Sequence, residues 1–323
     1  MATPEQTRST SEANFDQATH MGAQGTEIGT MILEDIGAPT GFEADVAHKK
    51  KGKFGILFYL SIFWVGLVVF CAIFANLLPV ADPVAINVAD AKSPPGTNGF
   101  VLGSDGLGRD ILSRLVHGAR VSVTISVAAV LTGTIVGGIL GLASGYLRGK
   151  FEGLIMFLVN VLLAFPGLIL LLTLVAFVGQ NLTAVTAAVA FLSIPVYTRV
   201  SRATTLAVSQ REFVLAAKAM GAKSSRILFR EIAPNVLLPV AAFGLIALGT
   251  VIVLEGSLAF LGLSVQPPTP TWGMMINEGR REIGNGVYHM TVIPALVLFF
   301  TVFSLNYVGD SLRNMFDVRE AQL

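Results

Sequence analysis

Six long apolar segments constrain the fold of this 323-residue chain more than any other feature. A helix of about 20 apolar residues is long enough to cross the hydrocarbon core of a bilayer. Segments of roughly this length lie at about 54–79, 121–143, 154–178, 182–200, 236–261 and 287–308. Charged residues make up only 13% of the chain, against about 25% in an average soluble domain. The pattern therefore predicts an all-α membrane protein with six transmembrane helices, and an even number of spans places both termini on one side.

Lysine and arginine predict which side the termini occupy, because loops on the cytoplasmic side carry an excess of these residues. With the spans given above, sixteen of the 22 lie on the side of the termini and six on the other side. We therefore expect both termini to be cytoplasmic, in a multi-pass protein of the inner or plasma membrane. The net charge is only +1, so the distribution of charge indicates topology and gives no reason to expect a nucleic acid partner.

The composition divides the chain into four parts. Residues 1–48 are polar and predict a cytoplasmic tail that is disordered. Residues 49–80 hold the first transmembrane helix behind a cluster of lysines, a basic anchor that can contact membrane lipid headgroups. Residues 81–120 are predicted to form an external segment with an interfacial helix, and residues 121–318 a five-helix core with a cytoplasmic coupling loop at about 211–234.

A polar, basic stretch at residues 211–239, between the fourth and fifth apolar segments, says most about function. It predicts an alanine-rich helix over 212–220 that ends at Gly221, because glycine readily adopts the left-handed conformation found at helix C-termini. A basic helix is predicted over 223–230, before Pro234 opens the next span. A short helix held at both ends by membrane segments can transmit rigid-body motion from a soluble partner.

The same stretch resembles the EAA loop of ABC importer permeases. The two alanines and the glycine of that motif correspond to Ala216, Ala217 and Gly221, whereas Leu215 stands where the family has its glutamate and Glu212 lies one helical turn earlier. The resemblance implies a contact with ATPase subunits. We assign this coupling role to Glu212, Ala216, Ala217, Gly221, Arg226 and Arg230.

Residues 100–122, FVLGSDGLGRDILSRLVHGARVS, carry a second motif on the opposite side of the membrane. They resemble the segment before the second span in one branch of the permease family, the dipeptide, oligopeptide and nickel importers, with Ser104 in place of the usual threonine. We call the matched positions the external motif and include in it Gly103, Asp105, Gly108, Arg109, Asp110 and Arg114.

The spacing of this motif predicts a helix lying in the outer headgroup region and leading into the second span. Its apolar positions 111, 112, 115 and 116 fall on one helical face, with the charged residues around the rest. Asp110 and Arg114 are four residues apart and are spaced to pair. The charges are interpreted either as fasteners between elements or as substrate contacts.

Two features of the second and third spans predict how the helices pack. Glycines at intervals of four, at Gly133, Gly137, Gly141 and Gly145, line one helix face and permit close approach of another backbone. We expect this face to pack inside the chain rather than to form a dimer. Pro166 predicts a kink in the third span, and such kinks either line transport pathways or serve packing alone.

Glu255 places a carboxyl group inside the fifth span, at a cost of roughly 2.5–3.5 kcal/mol on insertion scales. Its neighbourhood, EGSLAFLGL, again resembles the peptide and nickel permeases. A structural role in hydrogen bonding and a role in substrate passage both remain open for this residue.

The chain shows no pattern typical of an enzyme. It lacks the spacing of a phosphate-binding loop, its four histidines stand apart without metal-ligand spacing, and no catalytic constellation is visible. We therefore expect no bound cofactor and no metal, with ATP used by partner subunits.

The resemblance implies the type I ABC importer permease architecture and a function as a permease subunit for dipeptides or oligopeptides. It also implies the partners: a second homologous permease, two ATP-binding subunits and an external substrate-binding protein. The alternatives are a permease for nickel or another small solute, or a secondary transporter that works alone, in which Glu255 would be the first candidate for an ion site.

Overall fold

The computed structural model describes residues 55–320, with side chains described as far as residue 313. The predicted tail 1–48 and the basic anchor that follows it lie outside this range. Nine helices are present in the described part: α1 (Ile56–Phe74), α2 (Ile111–Leu147), α3 (Gly149–Ala164), α4 (Gly167–Val178), α5 (Leu182–Val208), α6 (Glu212–Ala219), α7 (Ser224–Phe260), α8 (Trp272–Arg280) and α9 (His289–Glu320). The all-α prediction is confirmed for this part of the chain.

Five of these helices, α1, α2, α5, α7 and α9, are individually long and apolar enough to cross a membrane. Helices α3 and α4 pass the same test only together, and they are bent by 90° at the break between them. The described part of the chain thus has five helices that could cross a membrane, or up to six if the bent pair crosses as one. The bent pair contacts other helices at both of its ends. Glu152, in the first turn of α3, accepts a hydrogen bond from Arg202 near the end of α5. Gln180, just after α4, accepts a hydrogen bond from Gln266, beyond the end of α7.

The bundle has two ends, which we name after their short helices. The α6 end holds the connection from α5 to α7. The α8 end holds the segment from residue 81 to residue 110, which joins α1 to α2, together with α8 and the start of α9. Helix α9 begins next to this segment, since His289 Nε2 lies 3.2 Å from the carbonyl oxygen of Ser104.

Helix α2 begins earlier than the sequence predicted. Asp110 accepts hydrogen bonds from the backbone N–H groups of Leu112 and Ser113 and so caps the helix at Ile111, ten residues before the predicted start of the second span. Residues 111–120 are therefore the first turns of the helix that carries the second apolar segment, and the predicted helix leads into that segment without a break. Most of these residues are buried, including the charged Arg114.

The glycine face of α2 packs against α5, as predicted. A Cβ atom added at Gly137 would lie 2.6 Å from the carbonyl oxygen of Ile194, and one added at Gly141 would lie 2.5 Å from that of Thr198. Gly145 meets Thr205 in the same way, one turn further along. The absence of side chains at these positions lets the two backbones approach closely, which provides packing where lipid offers no hydrophobic driving force.

Two π-helical turns interrupt the regular hydrogen bonding of long helices. One spans Gly133–Gly137 in the middle of α2, and the other spans Ile227–Ile232 near the start of α7. Pro234 follows the second turn and stands at the start of the regular α-helical stretch Ala233–Phe260, as predicted, and this stretch continues the helix that begins at Ser224. The widened turn lies directly before the proline, whose ring carries no N–H group for the helix ladder.

Candidate functional site

Helix α6 and the first turns of α7 form a paired unit at the α6 end. Gly221 has φ +77° and terminates α6, as the sequence predicted. Val214 and Ala217 are buried and belong to one apolar cluster with Ile227, Ile232 and Tyr197. The connection between the two helices is therefore packed onto the bundle and has a defined position relative to α7.

The opposite face of this unit is exposed, and we call residues 211–230 the coupling surface. It presents four large apolar side chains that are 41–81% exposed: Phe213, Leu215, Met220 and Phe229. Exposed basic residues, Lys218, Lys223, Arg226 and Arg230, lie among them. An apolar patch surrounded by charge is typical of a protein interface.

The coupling residues named from the sequence divide between the two faces. Glu212, Ala216, Gly221, Arg226 and Arg230 are exposed on the coupling surface. Ala217 is 7% exposed and faces the bundle, so its side chain holds α6 in place and is not available to a partner.

The external motif forms a buried ionic cluster at the α8 end. Asp105 Oδ1 accepts hydrogen bonds from the backbone N–H groups of Leu107 and Arg109, both at 2.9 Å, and its Oδ2 lies 2.6 Å from Arg109 Nε. Arg114 Nε lies 3.4 Å from the same oxygen. The three charged side chains are at most 6% exposed, so this carboxylate orders the loop that precedes α2.

A fourth residue, Glu278 of α8, completes the cluster and was missed from the sequence. Its Oε2 accepts hydrogen bonds at 3.0 Å from both Arg109 and Arg114. The sequence shows Glu278 only as one of two acidic residues, with Glu282, in the short segment after Trp272, and the motif ends more than 150 positions earlier. The predicted Asp110–Arg114 pair does not form, because the Asp110 carboxylate caps α2 and Arg114 turns to Asp105 and Glu278.

The motif glycines explain why this loop needs its sequence. Gly103 and Gly108 have φ +85° and +75°, values that side-chain-bearing residues rarely adopt. A Cβ atom at Gly108 would overlap the carbonyl oxygen of Asn87 at 1.7 Å. The loop therefore lies tightly against the residues around Asn87.

Glu255 lies on the side of α7 that faces α2. It is 1% exposed, and its two oxygens accept hydrogen bonds at 3.0 Å from the hydroxyl groups of Ser122 and Ser264. The carboxyl group thus joins α7 to α2 and to the loop that leads to α8. A buried polar group needs such partners to offset its lost hydration.

A cavity of about 630 Å³ lies between the α3–α4 break, α5 and α7. Pro166 produces that break, as predicted, and its neighbours Phe165 and Gly167 line the cavity. The wall is formed mainly by Leu, Val, Phe and Ile side chains, with Ser193, Tyr197, Thr250 and Ser257 as the polar residues. Ser193 and Ser257 donate their hydroxyl hydrogens to carbonyl oxygens of their own helices. Glu255 is not part of the wall.

Comparison with known proteins places the bundle in context. Residues 133–322 match the family described as binding-protein-dependent transport system inner membrane component. The chain is 36% identical over 281 residues to the di/tripeptide transport system permease protein DppC of Pseudomonas aeruginosa, covering 85% of this chain and 90% of that protein. It is 41% identical over 216 residues to the glutathione transport system permease protein GsiD of Pectobacterium atrosepticum, covering 67% of this chain and 71% of the relative.

The fold is also similar to a solved structure. A chain from the inward-facing MetNI methionine ABC transporter superposes with a TM-score of 0.52, covering 62% of this chain and 95% of that chain. The sequence identity is 18%, so this likeness concerns the fold alone.

Proposed function

The chain belongs to the family of binding-protein-dependent transport system inner membrane components and is a permease subunit of an ABC importer; we propose that small peptides are the solutes it carries. Similarity along nearly the whole chain to a permease named for di- and tripeptides carries this proposal. Membership of this family excludes the alternative of a secondary transporter that works alone.

The cavity between the α3–α4 break, α5 and α7 is our candidate for this subunit's part of the translocation pathway. Its lining residues include no His, Cys, Asp or Glu, the side chains that hold transition metal ions in proteins. The wall suits a solute that carries its own apolar groups, and this favours a peptide over the nickel alternative. A second homologous permease would complete the pathway from the other side.

We propose that the α6 end faces the cytoplasm and that the bent pair α3–α4 supplies the sixth span. The lysines and arginines of residues 148–230 all fall at or near this end, and the positive-inside rule then orients the bundle. Two ATP-binding subunits would dock on the coupling surface, and the α8 end would meet an external binding protein.

Coupling follows from the way α7 is built. Its first turns belong to the coupling surface, and the same helix continues without a break past the cavity wall to Glu255. A helix of 37 residues is about 55 Å long at 1.5 Å per residue. Motion of the ATPases against α6 would therefore move the α7 wall of the cavity, and so change which side of the membrane has access to it.

The test begins with purification of the tagged chain from native membranes and identification of its stoichiometric partners. Recovery of a second permease and ATP-binding subunits supports the proposed assembly. The complex is then reconstituted in vesicles with its binding protein and supplied with ATP and labelled di- and tripeptides. ATP-dependent uptake of these peptides supports the proposal, and uptake of nickel ions without peptide uptake overturns it.

A further inference from the structure

Thr250 lies in the second half of α7, where that helix forms one side of the cavity. Its side chain is exposed and is part of the cavity wall. The backbone beside it is packed against α9, since a Cβ atom added at Gly249 would lie 3.2 Å from the side chain of Asn306. This packing of α7 gives Thr250 a defined position at the cavity.

The other polar side chains of the wall have partners inside the protein. Ser193 and Ser257 each donate to the backbone carbonyl oxygen four residues earlier in the same helix, at 3.0 and 2.7 Å. Tyr197 is buried, and its hydroxyl group interacts with that of Thr134 on α2. These three hydroxyl groups of the wall are thus engaged within the bundle.

Thr250 differs from them, because its hydroxyl group makes no hydrogen bond to any residue of the described range 55–313. A hydroxyl group without a partner costs free energy in an apolar environment. Serine and threonine side chains in membrane helices can avoid this cost by bonding to their own helix, as Ser257 does two turns further along α7. Thr250 therefore offers a free donor to whatever occupies the cavity.

The rest of the wall determines which group of a solute can use this donor. Within the described chain, no Asp, Glu, Lys, Arg or His lines the cavity, so a charged group would meet no opposite charge there. Moving an ionised group away from water costs far more than one hydrogen bond to a hydroxyl group returns. The charged ends of a peptide are therefore expected to keep their water, whereas one donor satisfies the neutral carbonyl group of a peptide bond.

The size of the cavity agrees with this arrangement. Its volume of about 630 Å³ falls within the range of about 300–1,000 Å³ that is usual for small-molecule sites. Apolar side chains surround Thr250 in the wall, among them Phe243, Ile246 and Leu254. A short peptide can thus place its own apolar side chains against these residues while its backbone faces the Thr250 hydroxyl group.

We propose that Thr250 is a specificity-determining residue of the pathway, whose hydroxyl group donates a hydrogen bond to the carbonyl oxygen of a peptide bond in the solute. This inference rests on the proposed transport function. The permease itself then recognises the peptide bond, which is the group that distinguishes di- and tripeptides from free amino acids.

The experiment compares two substrates in the complete reconstituted complex with its binding protein. One is labelled leucyl-leucine, and the other is its thioamide analogue, in which sulfur, a weaker acceptor, replaces the peptide carbonyl oxygen. Thr250→Val keeps the shape of the side chain and removes the hydroxyl group. We expect this variant to take up leucyl-leucine about threefold to tenfold more slowly than wild type, the effect of losing one neutral hydrogen bond. Uptake of the thioamide should fall much less, so the variant loses the preference for the oxygen-containing peptide.

Controls separate this contact from a general loss of structure. Thr250→Ser keeps a hydroxyl group and should retain the wild-type preference. Thr186→Val makes the same change at an exposed threonine of α5 that bonds to its own helix and is not part of the cavity wall, and it should leave both uptake rates unchanged. The binding protein is the same in every assay, so a difference between variants arises in the permease. If Thr250→Val does not assemble, Thr250→Ala, which also lacks the hydroxyl group, takes its place.

The possible failures of this test are distinct. Equal losses for the two substrates in Thr250→Val, or wild-type rates for both, would overturn the Thr250 contact while leaving the peptide proposal intact. A wild-type complex that hydrolyses ATP but takes up neither substrate would contradict the proposed solute, and this inference with it.

Discussion

Glu278 Oε2 accepts a hydrogen bond from Arg114 Nη2 at 3.0 Å, although 164 positions separate the two residues in the chain. The same oxygen also accepts from Arg109. Because Arg114 lies in the first turns of α2 and Glu278 lies on α8, this carboxylate fixes the position of α8 relative to α2. The two arginines are almost completely buried, whereas Glu278 is 30% exposed.

Replacing Glu278 with Gln should destabilise the α8 end. The change leaves Asp105 as the one carboxylate for two buried guanidinium groups, and a hydrogen bond to a charged group contributes about 1.5–3 kcal/mol. Because Glu278 is partly exposed, we expect the lower half of that range. Thermal unfolding of the purified complex in detergent measures the loss. Asp310→Asn, which changes an exposed carboxylate on α9, is the control, and equal stability of the two variants would contradict a role for Glu278 as the link.

The sequence was informative wherever a structural feature depends on neighbouring residues. Hydrophobic length located the apolar helices, Gly221 located the end of α6, and Pro166 located the break between α3 and α4. The four-residue spacing of the α2 glycines correctly predicted a face for close packing within the chain. Each of these follows from the conformational limits of a residue type or from the helical period.

The sequence was less informative about contacts between distant segments. Nothing near Asp105 indicates that its arginines also bind Glu278, and the sequence therefore did not predict that Arg109 and Arg114 are buried in an ionic cluster. Similarly, the alanine pair of the coupling loop gives no sign that Ala217 is buried while Ala216 is exposed, since that depends on how α6 packs against α7.

The glycine face of α2 allows a matched pair of substitutions. Gly141→Ala would place a Cβ atom 2.5 Å from the Thr198 carbonyl oxygen and 2.8 Å from the Arg202 backbone nitrogen, and these backbone atoms move only if α5 moves. Overpacking of this kind costs about 1–3 kcal/mol. Gly138→Ala, three residues earlier, meets no atom within 4 Å and should be neutral or more stable by up to about 1 kcal/mol. Thermal unfolding of both variants is the measurement, and equal loss of stability would show that α2 and α5 do not pack as described.

Gly221→Val should uncouple ATP hydrolysis from uptake. The glycine has φ +77°, and a left-handed conformation costs about 1–2 kcal/mol for a residue with a side chain, most of all for a β-branched one. The turn between α6 and α7 would relax and move α6 away from its buried contacts. Hydrolysis and peptide uptake are measured together in vesicles. Gly221→Asn should preserve coupling, because asparagine tolerates this conformation, and normal coupled transport by the valine variant would count against the coupling surface.

Reversing the charges of Arg226 and Arg230 to Glu should weaken the attachment of the ATP-binding subunits. Both residues are exposed beside the apolar side chain of Phe229, so each reversal replaces an attraction by a repulsion at the rim of the interface without disturbing the bundle. We expect a loss of about 1–2 kcal/mol of association free energy, or roughly tenfold in affinity, with a steep dependence on salt because such charges are screened. Titration of the ATP-binding subunits against the immobilised permease pair measures the change.

Arg281→Glu, an exposed reversal at the α8 end, should leave the affinity unchanged. Unaltered affinity in the double reversal would shift the contact to the face of α6 that carries Ala216, whereas an equal loss in the Arg281 control would place the ATP-binding subunits at the wrong end of the bundle.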